Sequence, residues 1–272
     1  MKSLLRVRRI LLSEEQLITE VNIMVNETIR KLQEMRLSVM AKTYMDQLEH
    51  PEEFESMTFN ERFALIVDHK SDIRLNNKLK KLINSAKFPS NTDDLEDILY
   101  WPDRHLIRDL IQQLRTNAFI DKKRNVLFLG PTDNGKTFLA NTLGISACRA
   151  GYKVRYLRLL DFFAEYAEAE ARNEQLTLMK AYQKVRLLIL DEFLLLPIGE
   201  EQQRMLLELL ERRWGQSATI FCSQFDVSGW HSQLGGGAVA DAIMDRIIPD
   251  SYKMKLEGDV SMRQRITEIT EE

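Results

Sequence analysis

The sequence predicts a three-layer α/β domain with a parallel sheet, preceded by a smaller all-helical domain. Three observations predict it. Before about residue 117 apolar residues recur at spacings of three and four, and no alternating strand pattern appears. From Asn125 onward short apolar runs alternate with longer amphipathic stretches, as in a parallel sheet buried under helices. Charge changes at the same place: 21 basic against 20 acidic residues up to Arg124, then 17 against 21. The expected division is therefore 1–23 as an N-terminal extension, 24–117 as the helical domain and 118–272 as the α/β domain. Met24 is an alternative start.

Within the helical part, Leu37, Met40, Tyr44 and Leu48 mark one buried helical face. Thr58 with Glu61 forms a capping box, which predicts a helix starting near Phe59 and running toward Ser85. Pro89-Ser90-Asn91 then interrupts it. Trp101-Pro102 predicts a further helix through Leu114, followed by a connector at Thr116-Asn117. In the second part four buried strands are expected: Val126 to Leu129, Val154 to Leu157, Val185 to Leu190 and Thr219 to Cys222. Helical stretches from Phe138 to Arg149 and Glu200 to Trp214 lie between them.

Composition excludes several classes. With 272 residues, 44% of them apolar and 29% charged, the chain buries a sizeable core and is neither disordered nor fibrous. A net charge of −3 argues against polyanion binding through bulk charge, so a nucleic-acid surface must be local. Cys148 and Cys222 form no CxxC pair and the four histidines have no metal-ligand spacing, which fits a reducing cytoplasm without disulfides. Charges break the apolar run of the first twelve residues before a signal-peptide core forms, and no stretch is apolar for 18 residues.

Gly130-Pro131-Thr132-Asp133-Asn134-Gly135-Lys136-Thr137 fits GxxxxGK[ST], directly after an apolar strand and before the helical run that Phe138 opens. A polyphosphate carries closely spaced negative charge; successive backbone N–H groups ending at a helix N-terminus meet it with donors and a favourable dipole. Lys136 is expected to reach the β- and γ-phosphates of ATP, with Gly130 to Phe138 forming the cradle, and Thr137 to ligate Mg2+. Asp133 stands where a small residue is usual. Its carboxylate should weaken binding, although aspartate tolerates the left-handed backbone that such a loop needs. Leu187-Leu188-Ile189-Leu190-Asp191-Glu192 is a buried strand ending in two acids at its carboxyl edge. Asp191 is expected to hold the Mg2+ shell and Glu192 to orient and deprotonate the attacking water.

This phosphate loop and acid-tipped strand, with Ser223-Gln224 and late arginines following, resemble the AAA+ ATPases of the initiator and helicase-loader branch. More narrowly, Leu95-Glu96-Asp97, Leu190-Asp191-Glu192-Phe193, Cys222-Ser223-Gln224 with Trp230-His231, Ile243-Met244-Asp245-Arg246-Ile247 and Gly258-Asp259-Val260-Ser261-Met262-Arg263 resemble the IstB-type insertion-sequence helper ATPases, from about Met24 to Gln264. Departures from the family pattern are Asp133 and Val260, which shifts Arg263 by one residue. The resemblance implies a P-loop NTPase fold of the AAA+ type. It also implies sensor-1 Gln224 at the γ-phosphate or lytic water, Arg246 as an arginine finger for a neighbouring subunit and Arg263 at sensor 2. Only 49 residues follow Ser223, too few for a separate helical lid, so self-association is expected to close the site.

Lys70, Arg74, Lys78 and Lys81 fall on one side of the helix after Thr58, with Leu75, Leu79, Leu82 and Ile83 on the other. Such a stripe suits sequence-independent contact with the phosphates of double-stranded DNA, though it equally describes a solvated helix face. Arg155, Arg158 and Arg172 are a second candidate, weakened by the acidic stretch from Asp161 to Ala171; Arg6, Arg8 and Arg9 are a third. The preferred reading is an ATP-dependent transposition helper that assembles on duplex DNA and recruits or licenses a transposase, with hydrolysis resetting it. A helicase loader, a small-molecule P-loop kinase and a nucleotide-gated scaffold without appreciable hydrolysis are the alternatives.

Overall fold

A computed structural model describes residues 14–104, 106–258 and 262. Two compact units divide between Lys78 and Leu79. In the first, α1 (Glu14–Glu34) and α2 (Ser38–Glu49) are followed by α3 (Phe59–Ala86), whose length carries it past the division. The start of α3 is fixed as its sequence requires: Thr58 N–H and Oγ1 donate to Glu61 Oε2 at 2.7 and 2.8 Å. Gln47, almost fully buried, donates from Nε2 to Arg62 O at 2.9 Å and so ties α2 to α3. The apolar face expected at Leu37, Met40, Tyr44 and Leu48 is only shallowly covered. Ala41 and Gln47 take the inside of α2, and Leu48 stays 40% exposed, because so few helices cannot enclose a full stripe.

The second unit holds a five-stranded, wholly parallel sheet in the order β2-β3-β4-β1-β5. Its strands are β1 (Val126–Leu129), β2 (Val154–Arg158), β3 (Leu187–Asp191), β4 (Ala218–Ser223) and β5 (Tyr252–Lys255). The three central strands are buried at every residue, which is why they read as continuous apolar runs. After α4 (Arg108–Arg115) and α5 (Ala118–Asp121), helix α6 (Lys136–Arg149) follows β1. Two helices, α7 (Leu159–Ala171) and α8 (Gln175–Gln183), join β2 to β3; α9 (Glu200–Arg213) joins β3 to β4; α10 (Val227–Gln233) and α11 (Gly237–Ile247) lead to β5. One apolar layer packs α6 and the segment before β1 on one face of the sheet; the other packs α7 to α11 on the opposite face.

Four expectations are corrected here. Residues 79–117, read as helical domain, give Phe88, Leu95, Ile98, Ile111 and Leu114 to the sheet's own core, so the division falls at Lys78 and not at 117. The division expected at residue 23 lies inside α1. The helix read from Trp101 to Leu114 is a single 3₁₀ turn at Pro102–Arg104 and then α4, because extended backbone at Ile107 redirects the chain and lets Ile111 and Leu114 enter the core. Strand β5 was not foreseen at all. It is an edge strand in which only Met254 is buried, and its lysines hide any apolar run.

Arg213 pins the lower end of this architecture. It is 2% exposed, and its guanidinium donates to Tyr182 O (2.7 Å), Val185 O (2.9 Å), Ala218 O (2.5 Å) and Thr219 Oγ1 (3.1 Å). One side chain thereby joins the end of α9 to the turn before β3 and the start of β4. Arg213→Met leaves three buried carbonyls without that donor; it is expected to lower the unfolding free energy by about 3 kcal/mol or more in urea titrations.

Candidate nucleotide site

Gly130 follows β1 with φ +138°, and its N–H donates to Ser223 O at 3.2 Å. A Cβ at Gly130 would lie 2.1 Å from Leu256 O, so only glycine lets the loop pass the residue that follows β5. Asn134, buried, donates from Nδ2 to the same Leu256 oxygen at 3.4 Å. Asp133 adopts φ +62°, the left-handed backbone that the sequence reading allowed for, and its carbonyl accepts from Met262 N at 3.0 Å. The loop then enters α6 through Gly135, at φ +81°.

Lys136 is 8% exposed, and its Nζ donates to Gly130 O at 2.7 Å and Pro131 O at 2.5 Å. Burial pushes its ammonium below the usual lysine range, while the charges of Asp191 and Asp133 oppose that shift. Thr137 Oγ1 donates to Asp191 Oδ2 at 2.7 Å, and Glu192 N–H donates to Asp191 Oδ1 at 2.8 Å. Glu192 itself sits at φ +51°, a backbone angle held because Phe193 N–H donates to Cys222 O at 2.8 Å. Behind it Phe193 packs edge-on against Phe221 and Trp230, and Trp230 Nε1 donates to Ser223 Oγ at 3.1 Å. The turn carrying Glu192 is therefore mounted on a rigid aromatic block.

These groups share one cavity of about 600 Å3, lined among others by Thr132, Lys136, Asp191, Glu192, Gln224 and Met262, at the carboxyl ends of β1, β3 and β4. A hydroxyl and carboxylate oxygens at its floor form a hard donor set suited to a divalent cation such as Mg2+, which binds through one or two carboxylates and completes its shell with substrate oxygens. Among the described residues no group of three or more His, Cys, Asp and Glu forms a metal cage. Both cysteines are free and buried. No described helix is long and apolar enough to cross a membrane.

The predicted residues fall into three groups. Gly130 to Phe138, Asp191, Glu192 and Gln224 come together at the cavity. Arg246 does not. It lies on α11, its backbone carbonyl accepts from Asn125 Nδ2 at the opposite end of β1, and its guanidinium pairs with Glu211 at 2.8 Å and lies over the Trp214 ring. Arg263 and Arg6, Arg8 and Arg9 lie outside the described residues. On α3, Lys70 is half-buried while Arg74, Lys78 and Lys81 are exposed, and among the described residues none pairs with a carboxylate. In the second basic candidate Arg155 pairs with Glu165 at 2.6 Å, Arg158 with Asp161 at 2.9 Å and Arg172 with Glu168 at 3.7 Å, while Arg158 and Arg172 stay exposed.

Sequence reasoning missed several cavity residues. Asp97 and Leu99 line it from the segment before α4, and Arg158 lies 3.9 Å from the Glu192 carboxylate. Tyr156 OH donates to Asp191 Oδ2 at 2.8 Å. Asp97 falls in a quoted motif but without an assigned role, Leu99 carries no sequence signal, and Tyr156 and Arg158 are brought to Asp191 and Glu192 by the register of β2 against β3. Asp133→Gly keeps the left-handed backbone and removes a carboxylate from the cavity wall. Nucleotide affinity by calorimetry should rise by roughly fivefold or more; an unchanged affinity would mean that this carboxylate turns away from the phosphates.

The profile of the family described as IstB-like ATP binding protein matches residues 30–269. A Sinorhizobium fredii protein named as an insertion sequence ATP-binding protein is 34% identical over 238 residues, covering 88% of this chain and 96% of its own. A Pseudomonas fluorescens protein named for insertion sequence IS1162 is 33% identical over 205 residues, 75% of this chain and 88% of its own. In structure, AMPPCP-bound DnaA from Aquifex aeolicus superposes with a TM-score of 0.55 at 20% identity, over 68% of this chain and 57% of that one, which shows a shared fold. The chain belongs to the family of IstB-like ATP binding proteins and is a P-loop ATPase.

Proposed function

We propose that the protein is an ATP-gated assembly factor for transposition: subunits join on duplex DNA with ATP bound, the assembly recruits or licenses the transposase of the same element, and hydrolysis resets it. The observation that carries this reading is the split placement of charge. Lys136, Thr137, Asp191, Glu192 and Gln224 face one cavity, whereas Arg246 lies toward the far end of the sheet and away from that cavity, the placement expected of a residue that serves another subunit's site. The names of the relatives place them in insertion sequences, which supports a transposase as partner.

Within that reading each side chain has one task. The loop N–H groups and Lys136 bind the triphosphate. Thr137 and Asp191 would hold Mg2+, which would supply positive charge to offset that of the phosphates. Glu192 takes the proton of the attacking water, and Gln224 orients that water beside it. Charge developing on the transferred group exceeds what one lysine compensates, so Arg246 from the adjacent subunit completes the site and makes turnover conditional on assembly. Arg263 is assigned to the same phosphates on the family resemblance alone. The stripe Lys70, Arg74, Lys78 and Lys81 supplies phosphate contacts without base readout.

Sedimentation of the purified chain tests the assembly. A larger species is expected only with ATP and duplex DNA together, and Lys136→Ala should abolish it; a size indifferent to both ligands removes the proposal. Arg246→Ala should bind ATP normally yet hydrolyse it at least about a thousandfold more slowly, and mixing it with Glu192→Gln should restore turnover, since each variant supplies the group that the other lacks. Replacing the four basic residues of α3 by glutamine should lower DNA affinity equally across sequences and reduce the slope of log affinity against log salt by up to about 3 to 4.

A further inference from the structure

Asp191 is 5% exposed, and three donors converge on its carboxylate. Thr137 Oγ1 and Tyr156 OH both reach Oδ2, at 2.7 and 2.8 Å, and Glu192 N–H reaches Oδ1 at 2.8 Å. Thr137 and Glu192 already have tasks at the nucleotide. Tyr156 has none; its phenol touches neither the phosphate loop nor any other cavity group that the structure records.

Strand register explains how it gets there. Tyr156 of β2 pairs with Ile189 of β3, and side chains alternate along a strand, so Tyr156, Ile189 and Asp191 all point to one face of the sheet. Asp191 is the diagonal neighbour two residues on, within reach of an aromatic side chain. The Tyr156 ring packs on the apolar layer that contains Phe128, Leu187 and Ile189, which limits its rotation and fixes where the hydroxyl points.

We infer that Tyr156 is a positioning residue for the cation site: its hydroxyl locks the Asp191 carboxylate in the orientation from which it holds Mg2+, so that β2 tunes cation affinity at a distance from the phosphates. The inference rests on the proposed role of Thr137 and Asp191. A carboxylate free to rotate gives up part of its affinity to ordering, whereas one tied by a partner behind it presents its remaining lone pairs in a fixed direction. Removing that partner should leave nucleotide contacts intact and weaken the cation specifically.

Tyr156→Phe deletes the hydroxyl and keeps the ring. Mn2+ binding to the protein with AMPPCP, followed by electron paramagnetic resonance, should weaken about tenfold or more, while AMPPCP affinity in EDTA stays within about twofold of wild type. In an Asp191→Asn background the same substitution should add nothing further. An unchanged Mn2+ dissociation constant overturns the inference. So do equal losses with and without metal, additive losses in the double variant, or loss of the thermal transition in Tyr156→Phe, each of which makes the phenol a packing group. If Asp191→Asn alone leaves Mn2+ binding intact, the underlying cation site is wrong and the inference falls with it.

Discussion

Leu129 pairs with Ser223, and Leu190 with Phe221, in a sheet whose strands all run the same way. That register decides which residues can meet. It brings Gly130, Asp191 and Gln224, each just at or beyond the end of its strand, to one edge where their peptide groups and side chains point into a single crevice. A slip of one residue in any strand would aim its terminal acid or amide at the wrong face. Everything chemical about the site is downstream of this alignment, and the alignment is enforced by complete burial of β1, β3 and β4.

The loop itself is held by its neighbours more than by its own sequence. Leu256 N–H donates to Leu129 O at 2.7 Å, and Leu256 O accepts from Asn134, so the residue after the edge strand braces the loop from the side. Lys136 adds a bond from below to Gly130 O. A flexible glycine-rich segment thereby acquires a defined shape, and its donors do not have to be ordered by the ligand.

The phosphate loop, the acid-tipped β3 and the capping box of α3 were legible in the sequence because each is a local pattern with a local cause. The central strands were legible for a related reason: a strand buried on both faces leaves a continuous apolar run. What escaped depends on the third dimension. Strand β5 is masked by Lys253 and Lys255. Arg213 reads as an ordinary charge near the end of an amphipathic helix, yet it is buried and bonded to three backbone carbonyls. Tyr156 reads as one aromatic in a short strand until the pairing of β2 with β3 shows what lies diagonally across. The residues from 79 to 117 were assigned by their helical texture, although what places them is the sheet they cover.

Both outer strands of the sheet carry cations: Arg155 and Arg158 on β2, Lys253 and Lys255 on β5. Long charged side chains on an outer strand hinder a further strand from pairing there, which keeps the backbone of the sheet from being extended sideways. Chains crowded together along a polymer would otherwise risk fusing edge to edge into an irreversible aggregate. In the assembly proposed above, contacts between copies would thereby fall to helix faces and loops, surfaces that separate more readily than a paired strand edge.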